Sequence, residues 1–274
     1  MADTDKFIAG RKVFFLNPTP SFEEEVIERL RVMEYEVYSI NDYRHAKNIL
    51  RLNPDSILYI NPNISMTLDG WHNYIRSFGE DPKFGSIDFG IIMQKQAPEK
   101  EKKFLANIEP KAGVLYFDST KDELVRGISL ALDKLSAKGM RKYVRADCIT
   151  DKSAEIYWLK DNKMLKLKMI DISAAGIAAM LPATQANSIF VNQIIDGAYI
   201  NIGKTQIITS IKISAIKNAG NNLLVIIMYG SDTLPTAINQ IREYVSETLK
   251  ANIKASIVNL PLDRRDYNII VERK

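Results

Sequence analysis

The chain reads as α/β followed by all-β: a doubly wound parallel-sheet domain over residues 1–136, then a six-stranded antiparallel barrel with a C-terminal helix within residues 137–274. Three observations predict this. Short apolar runs alternate with helix-period segments over roughly the first 130 residues, the pattern of strands crossing over through helices into one parallel sheet. Beyond residue 137 the apolar residues fall at every second position instead, in runs separated by Gly, Asn and Pro, the period of half-buried antiparallel strands. Finally, 274 residues exceed what one core usually organises, about 250, so two domains are expected.

The elements follow in order. Val13 to Leu16 is a first strand, and Val26, Ile27, Leu30 and Met33 recur at helical spacing after Ser21-Phe-Glu-Glu24, which has the spacing of a capping box. Further strands are expected at Val37 to Ile40, Ile57 to Ile60, Ile87 to Met93 and Val114 to Phe117. Leu68, Trp71, Ile75 and Phe78 mark one helix between them, and Leu124, Ile128, Leu132 and Leu135 mark the last. Residues 137–147 form a linker. The barrel, about 148–230, takes its strands from Glu155 to Leu159, Lys163 to Met169, Gly176 to Leu181, Ala198 to Ile202, Gln206 to Ile216 and Leu223 to Met228. Asp232 or Thr233 caps a helix over about 234–250 with Pro235 in its first turn, where a missing N–H costs nothing, and with Ile238, Ile241, Val245 and Leu249 on its face. The extension 251–274, with Ile257, Leu260, Ile269 and Val271 apolar, is grouped with the barrel, although it adds a strand or packs on either domain equally well.

Composition excludes several classes. Thirty-seven Lys and Arg against 33 Asp and Glu give a net charge of +4, too small for a protein that coats nucleic acid or a membrane surface. Two distant histidines, His45 and His72, and one cysteine, Cys148, offer no metal cluster and no intrachain disulfide. Cys148 has no histidine near it in sequence and reads as a packed barrel residue. The opening MADTDKFIAGRKVFF lacks the pattern of a signal peptide, no apolar run has the length of a membrane helix, and a cytoplasmic location is expected. No G-x-G-x-x-G or G-x-x-x-x-G-K-S/T occurs, so neither dinucleotide nor NTP binding is supported.

Two short motifs carry chemistry. Arg141-Lys142-Tyr143-Val144-Arg145 precedes the first barrel strand, and Asp171-Ile172-Ser173-Ala174-Ala175-Gly176 follows 26 residues later, where one strand ends and the next begins. A guanidinium grips phosphate oxygens in pairs, reaches guanine O6 and N7, or stacks on the base. A carboxylate accepts hydrogen bonds only, which suits the N–H edge of guanine, and a serine adds a rotatable hydroxyl. Gly176, without Cβ, allows either positive φ or a close approach of backbone to a base. Alone, each motif is explained by a turn or a solvated linker; their order and context set the pair apart.

In that order the motifs resemble those of the PilZ family, whose domains bind the bacterial second messenger cyclic di-GMP through R-x-x-x-R and D/N-x-S-x-x-G. The resemblance covers residues 139 to about 250. It implies a PilZ β-barrel, a ligand site at Arg141, Arg145, Asp171, Ser173 and Gly176, and secondary positions at Met140 and Lys142. Met140 stands where the family varies between one ligand and a stacked pair. The first half similarly resembles a response-regulator receiver domain in layout. A receiver needs acidic residues after its first strand, an aspartate after its third and a lysine after its fifth; here stand Asn17 and Pro18, Asn61 and Pro62, and Asp118. An amide is a poor phosphoryl acceptor, and Mg²⁺ wants carboxylates, so receiver-like shape without phosphorelay is expected.

The resulting expectation is a bacterial cyclic di-GMP receptor that performs no catalysis, needs no cofactor, and signals through domain rearrangement or through an unknown protein partner met by its N-terminal domain. Motility, adhesion or envelope functions are the family-level processes. The rival reading is a PilZ-like adaptor that binds no ligand and acts through protein contacts. Nucleic-acid binding through Lys163, Lys166 and Lys168 is the weakest, because no base-reading or stacking motif accompanies them. Arg264 and Arg265 read as a surface basic pair.

Overall fold

A computed structural model describes residues 10–106 and 108–269. The N-terminal residues 1–9, part of the stretch scanned for a signal peptide, and Val271 lie outside the described residues. The chain divides into two compact units, one running to Lys142 and resuming at Ile253, the other Tyr143–Asn252.

The first unit is built on β1 (Val13–Leu16), β2 (Val37–Ile40), β3 (Ile57–Ile60), β4 (Asp88–Met93) and β5 (Val114–Tyr116). All pair in parallel in the order β2-β1-β3-β4-β5. β1 and β3 are buried at every position, which is why they read as unbroken apolar runs rather than alternating ones. Helical segments Pro20–Phe22, Glu23–Ile27 and Glu28–Val32 run on as one helix, α1, with a π-helical middle turn. The others are α2 (Tyr43–Leu52), α3 (Leu68–Arg76), α4 (Pro98–Leu105) and α5 (Lys121–Lys134). Phe22, Val26, Ile27 and Leu30 of α1 and Leu124, Val125, Ile128 and Leu132 of α5 form one core with Val13, Phe15, Ile57, Tyr59 and Ile92. Alternation turns Phe14, Leu16, Leu58, Ile60, Ile91 and Met93 to the opposite face, and α2 and α3 bury Ile49, Leu50, Trp71, Tyr74 and Ile75.

The start of α1 differs from the expected Ser21–Glu24 capping box. Thr19 is the N-cap, accepting from the Phe22 N–H, and Pro20 follows it; Ser21 instead donates to Glu25. Proline at the first helical position, with its φ already fixed, sets the start there. The capping box lies at α5, between Thr120 and Glu123.

The second unit contains β6 (Arg145–Asp147), β7 (Glu155–Lys160), β8 (Lys163–Ser173), β9 (Gly176–Pro182), β10 (Ile194–Ile202), β11 (Thr205–Ala219) and β12 (Asn222–Tyr229). Strands β8-β7-β10-β11-β12-β9 are antiparallel neighbours, and β9 pairs back onto β8, which closes a six-stranded barrel. Inward residues such as Leu165, Leu167, Met169, Ile200, Ile211, Ile213 and Val225 fill it, while Lys166 and Lys168 are exposed on the outside of β8 and Lys163 is exposed at its first position. Helix α6 (Pro235–Ile257) adds Ala237, Ile241 and Val245 to the same core.

Three expected boundaries are corrected. The end of the linker 137–147 is the strand β6, which lengthens the sheet beyond the six barrel strands. α6 runs to Ile257 rather than to about residue 250, because Ala251, Ile253, Lys254 and Ala255 favour helix and no breaker intervenes. Residues 253–269 cluster with the α/β unit and not with the barrel, through a polar strap described below.

Because Ile241 is fully buried in the barrel core, Ile241→Ala is expected to cost about 2–5 kcal/mol. Urea unfolding of the full chain followed by tryptophan fluorescence checks this, since Trp158 sits in that core.

Candidate ligand site on the barrel

The site is assembled by one strand. β8 pairs along Lys163–Lys168 with β7, and its last residues pair on that same edge with β6, in the register Arg145↔Ser173, Ala146↔Ile172 and Asp147↔Asp171. Its other edge pairs with β9 from Lys168 onward, across a bulge between Met169 and Asp171. The tight connection from Ser173 to Gly176 then starts β9. Arg145, Asp171, Ser173 and Gly176 are thereby brought to one rim of the barrel.

The side chains differ in freedom. Arg145 Nη1 lies 3.7 Å from Asp171 Oδ1, with 47% and 30% of the two side chains exposed. Ser173 is buried, and its hydroxyl donates to the Gly176 carbonyl at 3.3 Å and accepts from the Ala175 N–H at 3.3 Å. This is the side-chain-to-backbone turn that the residue types permit. Gly176 does not have positive φ. A Cβ there would stand 2.1 Å from the Ile227 carbonyl oxygen on β12, so of the two uses expected for this glycine the structure selects close approach, toward a neighbouring strand. Met140, Arg141 and Lys142 lie in the exposed segment ahead of β6 and are not among the residues that β6, β8 and β9 assemble. Val144 is packed against the barrel core.

Tyr229, at the end of β12, belongs to the site although nothing in the sequence singles it out. Its hydroxyl donates to the Ser173 carbonyl at 3.1 Å, and burial, then the neighbouring Cys148 and Asp171, hold its pKa well above the ordinary tyrosine value. It therefore stays a donor. Cys148 is fully buried, its thiol pushed up to about 11 mainly by burial. A protonated, enclosed thiol is no nucleophile. What the rim offers is a guanidinium, a carboxylate and backbone groups, a set that suits an anion carrying N–H donors.

The α/β unit has its own cluster where β1 and β3 end. Asn61 Nδ2 donates to the Asn17 carbonyl at 2.9 Å, Asn17 Nδ2 to Ser65 Oγ at 3.3 Å, and Asn63 donates twice to Asn61 Oδ1. Both Asn17 and Asn61 are buried, and Asn17 has φ of 56°, a conformation asparagine tolerates. These amides knit the strand ends to each other.

Gly176→Val is expected to force β9 away from the Ile227 carbonyl and to lower stability by about 1–3 kcal/mol, read from the denaturation midpoint. An unchanged midpoint would show that the β9–β12 approach does not require glycine.

No family model matches the chain, and no curated protein matches it. Solved structures are similar to parts of it. The PilZ domain of YcgR from Escherichia coli, solved with c-di-GMP, is 15% identical, with 44% of this chain and 98% of that one covered and a TM-score of 0.37. MotI/DgrA, a Bacillus subtilis inhibitor of motility, is 20% identical over 40% of this chain and 50% of its own, with a TM-score of 0.33. Vibrio cholerae chemotaxis protein CheY4 is 18% identical over 45% of this chain and 99% of its own, with a TM-score of 0.37. The match therefore spans an isolated PilZ domain in full but only half of MotI/DgrA. On its own topology the chain is a receiver-like α/β unit, ordered β2-β1-β3-β4-β5, joined to a closed six-stranded antiparallel barrel with a C-terminal helix.

Proposed function

We propose that the barrel binds cyclic di-GMP through Arg141, Arg145, Asp171, Ser173 and Gly176, with Met140 and Lys142 adjoining, and that the protein is a receptor for this dinucleotide. The observation that carries the reading is the β6–β8 pairing, which sets Arg145 opposite Ser173 and within 3.7 Å of Asp171. Arg145 of one motif and Asp171 of the other, 26 residues apart, thus stand side by side, half open to solvent. Arg145 then takes phosphate or guanine, Asp171 the guanine N–H edge, and Ser173 with Gly176 keeps the turn beneath them closed. A hydrogen bond to a charged group contributes about 1.5–3 kcal/mol, so a few of them reach the roughly −8 kcal/mol of a micromolar complex.

Arg141 and Arg145 fall on either side of the division between the units at Lys142 and Tyr143. A ligand that grips both orders residues 141–145, and that ordering is the conformational signal of this reading.

Calorimetric titration of the full chain with cyclic di-GMP is expected to show saturable binding that GTP and cyclic di-AMP do not reproduce, weakened about 100-fold or more by Arg145→Ala, a loss of some 2.7 kcal/mol. Absence of binding by the unaltered chain would favour the adaptor reading, in which the barrel is kept for protein contacts. For the conformational step, small-angle scattering at saturation is expected to differ from the free profile; identical profiles would confine the effect to local ordering of residues 141–145.

A further inference from the structure

Beyond α6 the chain lies on the α/β unit as a strap without regular structure. Asn48 Nδ2 donates to the Pro261 carbonyl at 2.6 Å, and the Asp263 N–H donates to the Arg44 carbonyl at 3.0 Å. Asn73 Nδ2 donates to the Tyr267 carbonyl at 3.0 Å, and the Thr67 N–H and hydroxyl both donate to Asn268 Oδ1, at 3.0 and 2.9 Å. Arg265 pairs with Glu80 at 3.0 Å. These partners come from α2, α3 and the residues beside them.

At the centre is a buried cation. Lys47, on α2, has a side chain only 7% exposed, and its ammonium lies 4.9–5.4 Å from the ring centres of Tyr74, Phe78 and Tyr267. It donates to Ser77 Oγ at 2.7 Å and to the Tyr267 hydroxyl at 2.6 Å, and Asp263 Oδ2 stands 3.3 Å away. Tyr267 in turn donates to Asp263 at 2.7 Å, and its ring meets Tyr74 edge-on at 5.1 Å. A buried ammonium demands a counter-charge and hydrogen-bond partners. The strap supplies the carboxylate and the phenol, four residues apart.

Besides the residues that meet the strap, the two helices hold apolar residues of their own. α2 and α3 bury Ala46, Ile49, Leu50, Trp71 and Ile75 in the unit's interior. Conversely the strap has few apolar anchors, and Val258 and Leu260 ahead of it are 70% and 37% exposed. A few deep side chains combined with main-chain hydrogen bonds are the means by which extended peptides are recognised.

We propose that the groove between α2 and α3 is a peptide-recognition site that reads a carboxylate and a tyrosine four residues apart, filled in this chain by its own Pro261–Asn268 and able to take the same segment from a second copy. Covalent attachment gives the internal segment a high effective concentration, so the groove is occupied in cis in the isolated chain. Weakening the strap exposes the site to the segment of another molecule, an exchange of identical elements between copies. This reading is independent of cyclic di-GMP.

The test uses a fluorescent peptide of residues 258–269 and the full chain, unaltered or carrying Asp263→Ala and Tyr267→Ala, which remove the strap's two deep side chains and change no residue of α2 or α3. Anisotropy is expected to show binding to the double variant at least about tenfold tighter than to the unaltered chain. A peptide carrying the same two alanines is expected to bind neither. Equal binding to both chains, or binding to neither while the variant still melts cooperatively, overturns the proposal. Should the variant lose its cooperative melt, a chain with a protease site in place of Val258–Leu260 decides instead. Replacement of the severed segment by the labelled peptide supports the proposal. Retention of that segment through gel filtration against excess peptide overturns it, since the strap is then an inseparable part of the fold.

Discussion

The barrel rim depends on a single constraint: β8 is too long for one partner on its β7 edge. β7 covers it from Lys163 to Lys168 and then leaves. The remaining donors and acceptors at Asp171–Ser173 are met by β6, because buried backbone groups left without partners would cost more than the ordering of three residues. On the opposite edge the bulge between Met169 and Asp171 bends β8 so that β9 can close the barrel. Closure and the placement of Arg145 beside Asp171 thus use opposite edges of the same stretch of β8. A break in the β6 pairing would leave Asp171 and Ser173 in place but remove the arginine from them.

That dependence explains what the sequence discloses and what it hides. The lysines at 166 and 168 alternate with Leu165, Leu167 and Met169, and a strand with one wet face cannot avoid writing that period into its sequence. The buried strands of the α/β unit are legible for the opposite reason, as short unbroken apolar runs. β6 has neither signature. Its three residues, Arg145-Ala-Asp147, become a strand only because β8 offers an unfilled edge, and no local pattern predicts a partner 26 residues away. The strap is hidden more deeply still: Lys47 and Tyr267 are 220 residues apart, and each reads as an ordinary member of its own segment. Tyr229 is a further case: it stands one residue past the expected strand, and nothing local marks the carbonyl it meets.

The two units handle their strand ends in contrasting ways. In open α/β sheets the crevice outside the carboxyl ends of the strands, where the order reverses, is the usual ligand position. Here that crevice lies between β1 and β3, and Asn17, Asn61, Asn63 and Ser65 satisfy one another across it. Carboxylates at Asn17 and Asn61 would repel each other unless a cation lay between them, whereas amides, each carrying donor and acceptor, close the network without an ion. Amides at these two positions thus make the edge self-sufficient.

On the barrel rim the polar groups are divided differently, and the division bears on how a ligand can be accommodated. Ser173 and Gly176 are buried and spend their hydrogen-bonding and steric capacity on the β8–β9 turn and on β12; the fold alone fixes them. Arg145 and Asp171 are 47% and 30% exposed at 3.7 Å, and a solvated pair of this kind contributes only about 0–1 kcal/mol. Such a pair can be exchanged for contacts to an anion at little cost, whereas a buried pair such as Lys47–Asp263 cannot be parted without stranding a charge. The same two kinds of charge thus do opposite work in one chain: the exposed pair keeps the rim adaptable above a rigid turn, and the buried pair makes the strap's hold depend on the exact chemistry of Asp263 and Tyr267.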